Sequence, residues 1–154
     1  QQYALMMKLY DLLEEMTFVT DQMKGVMASL AERASQLPAG EALAGRLKAG
    51  AGNVDVMLKS IVASKEGGMI TGEERLREFV SNVYGSLNGY EGGPTKTQGD
   101  RVNALVREFG DVKSAFAAWT GKELKDLNAA LQGKSLEPVQ PVVRRDWEKQ
   151  TGKH

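Results

Sequence analysis

From Leu5 to Leu30 the apolar residues step along the chain by four and three without a break: Leu5, Leu9, Leu12, Met16, Val19, Met23, Val26 and Leu30. That is a heptad seam held for more than three repeats, and it predicts a helix over residues 1–36. Met6, Leu13 and Met27 flank the seam and widen it toward the face of a bundle rather than a two-stranded coiled coil. The stop signal is Leu37-Pro38-Ala39-Gly40, in which Pro disfavours helical geometry before it and Gly closes the turn.

The pattern then restarts. Leu43, Leu47, Val54, Met57, Leu58, Ile61 and Val62 predict a second helix over Glu41 to Ser64, with Gly45, Gly50 and Gly52 inside it. Those glycines permit either a close helix approach or a kinked middle. Glu66 to Gly72 is the next break. A third helix, Glu73 to Leu87, turns Leu76, Phe79, Val80, Val83 and Leu87 inward and carries acids in its first turn, where the helix dipole favours them. Val102, Leu105, Val106, Phe109, Val112, Phe116 and Trp119 make a fourth.

The phase fails at Thr120-Gly121. Thr120 and Glu123 have capping-box spacing, so a short fifth helix is expected to start there, using Leu124, Leu127 and Leu131 and ending at Gly133. The tail with Pro138 and Pro141 reads as extended, regaining a turn of helix near Asp146. No stretch has strand periodicity. Short connections between long helices predict an all-α fold: an antiparallel up-down-up-down four-helix bundle with a short fifth helix and an extended C-terminal tail. The division expected is a bundle over 1–135 and a tail over 136–154. The chain opens on Gln1-Gln2-Tyr3 with its periodicity already running by Leu5, and the expectation is a piece of a longer protein.

Composition narrows function mainly by exclusion. Lys and Arg total 20 and Asp and Glu total 20, which removes the basic surface that non-specific nucleic-acid binding needs. No apolar run approaches the roughly 18 residues of a membrane span. Without Cys there is no thiol chemistry. The single His, His154, stands at the end of the chain, so the Glu-x-x-His pairs of a di-metal bundle cannot be assembled. Neighbouring acids such as Glu14-Glu15 and Glu73-Glu74, and the Asp55 region, read as solvated helix surface, because adjacent helical positions diverge by about 100°. No catalytic, cofactor-binding or metal-binding residue is assigned, and no cofactor is expected.

One stretch invites a chemical reading: Asn88 to Lys96, rich in Gly and ending Pro-Thr-Lys. A phosphate-binding loop requires Gly before that Lys and a strand before the loop. Here Thr95 precedes Lys96 and a helix precedes the stretch, so it reads as a turn between helices, with Thr95 or Thr97 capping the next one. The candidate contact residues are Arg144, Arg145 and Trp147 in the tail and Met7 on the first helix. Trp and Arg are over-represented at interface hot spots, and Met7 lies off the heptad seam. The tail has two readings, a contact segment for a partner or a strap across its own bundle anchored by Trp147.

Pro94-Thr95, then "VNALVREFGDVKSAFAAW", then "KELKDLNAALQGKSLEPV" with its Leu127-Asn128 step and Leu136-Glu137-Pro138-Val139 end, carry a resemblance. Over about 76–139 the chain resembles the C-terminal helical domain of bacterial β-propeller proteins with BNR (Asp-box) or sortilin-like repeats, which are often labelled glycosyl hydrolases. The tail from Gln140 departs from that pattern, and no propeller blade or Asp box is present. The resemblance implies a non-catalytic accessory or interaction domain of a larger exported protein, periplasmic or extracellular, with its own upstream propeller or another protein as partner. The alternatives are a contribution to the substrate cleft of a glycosidase-like propeller and a self-associating module.

Overall fold

The computed structural model describes residues 2–61, 76–88 and 95–152. The protein is an all-α helical bundle, with no strand among the described residues. α1 (Gln2–Ser35) is 34 residues long, roughly 50 Å at 1.5 Å per residue. α2 (Ala42–Ile61), α3 (Leu76–Asn88) and α4 (Lys96–Trp119) follow. A π-turn (Thr120–Leu124) leads into α5 (Lys125–Gly133), and residues 136–143 are extended before α6 (Arg144–Gln150). The predicted breaks at Glu66–Gly72 and Asn88–Pro94 lie outside the described residues, apart from Asn88 itself.

The seam of α1 is buried as its spacing predicts: Leu9, Met16, Met23, Val26 and Leu30 are completely enclosed, and Leu12 and Val19 nearly so. Leu5 and the flanking Met6, Leu13 and Met27 are half-buried. Each enclosed side chain contributes roughly 1.5–3 kcal/mol of transfer free energy. Gly40, at φ +85°, adopts the left-handed conformation that closes the turn between α1 and α2.

The chain divides into two compact units whose boundaries fall inside helices. The first comprises Gln1–Thr17 and Lys59–Lys113. Its buried residues include Leu9, Leu12 and Met16 of α1, Val80 and Val83 of α3, and Val102, Leu105 and Phe109 of α4. Lys8 Nζ donates to Asn103 Oδ1 at 2.8 Å, and Lys113 Nζ pairs with Glu15 at 2.9 Å. Moving from Lys8 to Glu15 therefore moves from Asn103 to Lys113, so here α4 runs in the same direction as α1. Strict alternation would oppose the two.

The second unit comprises Phe18–Leu58 and Ser114–His154. In it α2 runs opposite to α5: Glu41 pairs with Lys134 at 2.6 Å, and Gly50 lies against Leu127. Gly50 settles which of the α2 glycines is a packing residue. A Cβ there would meet Leu127 Cδ1 at 3.0 Å, Trp119 Cζ2 at 3.5 Å and Leu30 Cδ1 at 3.6 Å, whereas Gly45 and Gly52 have open space around them. The helix is unbroken through all three. Gly45→Ala and Gly52→Ala are therefore expected to stabilise the fold by roughly 0.5–1 kcal/mol each. Gly50→Val should destabilise it by about 1–3 kcal/mol through overpacking. Urea midpoints that rank the three variants alike would contradict this division.

The expected break at Thr120 is not a break. Burial along the chain falls at Phe116, Trp119, Leu124, Leu127 and Leu131. The step of five between Trp119 and Leu124 is taken up by the π-turn, which inserts one residue and restores the apolar face without ending the helix. Thr120 makes no capping bond. Its hydroxyl donates back to the Ala117 carbonyl at 2.9 Å, and Trp119, preceding the turn, is itself helical at φ −62°. The capping box appears instead at the start of α4. The Gln98 N–H donates to Thr95 Oγ1 at 3.1 Å and the Thr95 N–H donates to Gln98 Oε1 at 2.8 Å. Thr95→Ala should cost about 1 kcal/mol, seen as a lowered urea midpoint, and an unchanged midpoint would remove Thr95 from the cap. The capping role belongs to Thr95, the residue that precedes Lys96.

Candidate contact site

Two places collect the candidate contact residues. The first is the C-terminal segment. α5 ends in a Schellman turn, in which the Leu136 N–H donates to the Leu131 carbonyl and the Ser135 N–H to the Gln132 carbonyl, both at 3.0 Å. The left-handed position of that turn belongs to Ser135 at φ +58°, not to Gly133. Pro138 and Pro141 then keep the chain extended, since their rings fix φ near −65°.

Three side chains hold this extended stretch by its backbone. Arg33 Nε donates to the Glu137 carbonyl at 2.9 Å. Asn128 exchanges two bonds with Val139, its Nδ2 donating to the Val139 carbonyl at 2.9 Å and its Oδ1 accepting the Val139 N–H at 2.7 Å. Gln22 Nε2 donates to the Val142 carbonyl at 2.9 Å. The Val139 side chain is enclosed. The Leu127-Asn128 step thus has a structural role for each member: Leu127 packs inward against Gly50, and Asn128 clamps the tail.

Trp147 is the anchor. Only 1% of it is exposed, its ring centroid lies 5.1 Å from that of Phe18 at a tilt of 59°, and its Nε1–H donates to Asp21 Oδ2 at 2.8 Å. Arg144 lays its guanidinium 4.1 Å from the Phe18 ring centroid and 5.7 Å from that of Trp147, within cation–π range of both. Of the two readings of the tail, the structure shows the strap across its own helices. Trp147 and Arg144 are used internally, while Arg145 is exposed beside Asp146 at 3.7 Å. Sequence periodicity could not single out Asp21 or Phe18, because Phe18 lies one position from the heptad seam and Asp21 reads as ordinary helix surface.

The second place is the N-terminal end of α1. Met7 is 40% exposed, and it is flanked by Tyr3 at 76% and Tyr10 at 50%. The spacings of four and three put these three on one helical face, opposite in character to the buried Leu9–Leu12–Met16 seam. The signal that could have found the two tyrosines was present, since they share the helical face of Met7.

No chemistry gathers elsewhere among the described residues. No group of three or more His, Asp or Glu side chains is placed to hold a metal ion there. Glu14, Glu15 and Asp55 are half-buried, with Glu15 paired to Lys113. Glu73, Glu74 and His154 lie outside the described residues. No described helix is long and apolar enough to cross a membrane. Comparison with protein-family models, with curated proteins and with solved structures gives no match.

Proposed function

We propose that this chain is a non-catalytic helical accessory domain that acts by protein–protein or interdomain docking. Its setting, on this reading, is a larger exported β-propeller protein of the BNR or sortilin-like kind that its last helices resemble. The observation that carries the docking role is the exposed Tyr3–Met7–Tyr10 face of α1. Tyrosine and methionine are enriched at interfaces, where a ring or thioether is desolvated while a phenol keeps its hydrogen bonds. Anchors at i, i+4 and i+7 suit a helix laid into an apolar groove of its partner.

The test is a calorimetric titration of the chain into the separately expressed propeller part of its parent. Binding is expected, weakened at least about tenfold by the double variant Tyr3→Ser/Tyr10→Ser, in line with the loss of about 1.4 kcal/mol or more at an interface hot spot. Absence of heat with both pieces folded would remove the propeller as partner. Binding that ignores the double variant would remove the tyrosine face as the contact.

A further inference from the structure

The groove that holds residues 136–143 recognises a backbone. Arg33, Asn128 and Gln22 bond the carbonyls of Glu137, Val139 and Val142 and the N–H of Val139. Val139 and then Trp147 supply the enclosed side chains. Such a groove selects an extended, proline-stiffened chain, and none of these bonds depends on the occupant belonging to the same molecule. The segment reaches the groove through Lys134–Ser135 alone, an exposed turn whose Ser135 sits at φ +58°, in the left-handed region that side-chain-bearing residues rarely adopt.

We propose that this groove is an intermolecular binding site whose occupant is residues 136–150 of a second copy, so that two chains exchange tails reciprocally. In the exchanged form every groove contact recurs. Only the Lys134–Ser135 turn changes: it opens to an extended hinge, its strained residue relaxes in both chains, and the turn bonds donated by the Ser135 and Leu136 N–H groups pass to solvent. A short, strained hinge between a helix and a docked segment is the arrangement that favours such exchange. No residue of the Tyr3–Met7–Tyr10 face takes part, so the inference stands apart from the docking role above.

The experiment uses the full chain, sized by light scattering after incubation at about 1 mM, the concentration scale on which a tethered segment competes with its free counterpart. Wild type is expected to give a dimer fraction. Isotopically distinct chains incubated together should form mixed dimers by native mass spectrometry. Ser135→Pro, whose ring cannot adopt the left-handed turn, should raise the dimer fraction several-fold, and Ser135→Gly should lower it about tenfold. A wild-type chain with no dimer overturns the proposal. So does a folded Ser135→Pro variant that remains monomeric. Should that variant not fold, the glycine variant decides, and a dimer fraction equal to wild type in Ser135→Gly overturns it. A labelled peptide of residues 136–150 that is captured while chains fail to exchange would assign the groove to a separate protein and overturn the second-copy occupant.

Discussion

Trp147→Ala is expected to cost about 3–5 kcal/mol. Three losses combine. The indole is enclosed, so its removal leaves a cavity against Phe18, whose ring lies 5.1 Å away. The Asp21 carboxylate loses the N–H that it accepts at 2.8 Å, and a half-buried charged acceptor left without its partner carries a desolvation penalty. Arg144 loses one of the two rings it covers. Trp147→Phe helps to separate these contributions, because it keeps a ring near Phe18 while removing the donor and only part of the indole's volume. It should cost about 1–3 kcal/mol. Urea denaturation followed by near-ultraviolet circular dichroism would measure both. An alanine variant with an unshifted midpoint would mean that the tail contributes no stability, and the strap would then be a contact without an energy.

Leu12→Ala is the matching prediction for the first unit, at about 2–5 kcal/mol. Leu12 is 7% exposed on the seam of α1, between Leu9 and Met16, which are fully enclosed. Its neighbour Leu13 is half-buried, so Leu13→Ala is the internal control and should cost clearly less. Equal midpoints for the two variants would contradict the heptad register, since one residue of slip rotates the buried face by about 100°.

The two predictions differ in how much of each was legible beforehand. Leu12 could be assigned from spacing alone, because burial of a helical stripe is a local consequence of 3.6 residues per turn. Trp147 could be recognised only as a residue in need of a partner. Its burial depends on Asp21 and Phe18, more than 120 positions away along the chain, and no periodicity couples sites at that distance. The same division applies within α4 and α5. The failure of phase after Trp119 was visible, yet whether a helix answers it by stopping at a cap or by inserting a π-turn depends on what lies opposite. With Gly50 allowing Leu127 and Trp119 to approach α2, continuous packing is available and the helix continues.

The candidate contacts divide similarly. Met7 was marked by its position off the seam, and its exposure follows from that position. Arg144, a candidate contact residue in the proline-containing tail, is packed over two rings of its own chain.

By itself, then, the sequence determined the all-α class, the seam of α1, the glycine turn at Gly40 and a threonine cap at Thr95 or Thr97. Each of these is settled within about one heptad of chain by sterics, capping and side-chain periodicity. Tertiary structure alone decided that α4 runs with α1, that the helix survives Thr120, that Gly50 is a contact while Gly45 and Gly52 are not, and that the tail folds back onto α1 and α5. Those outcomes depend on which apolar surfaces meet across large sequence separations, where the free energy is gained by pairs of residues that no local pattern identifies.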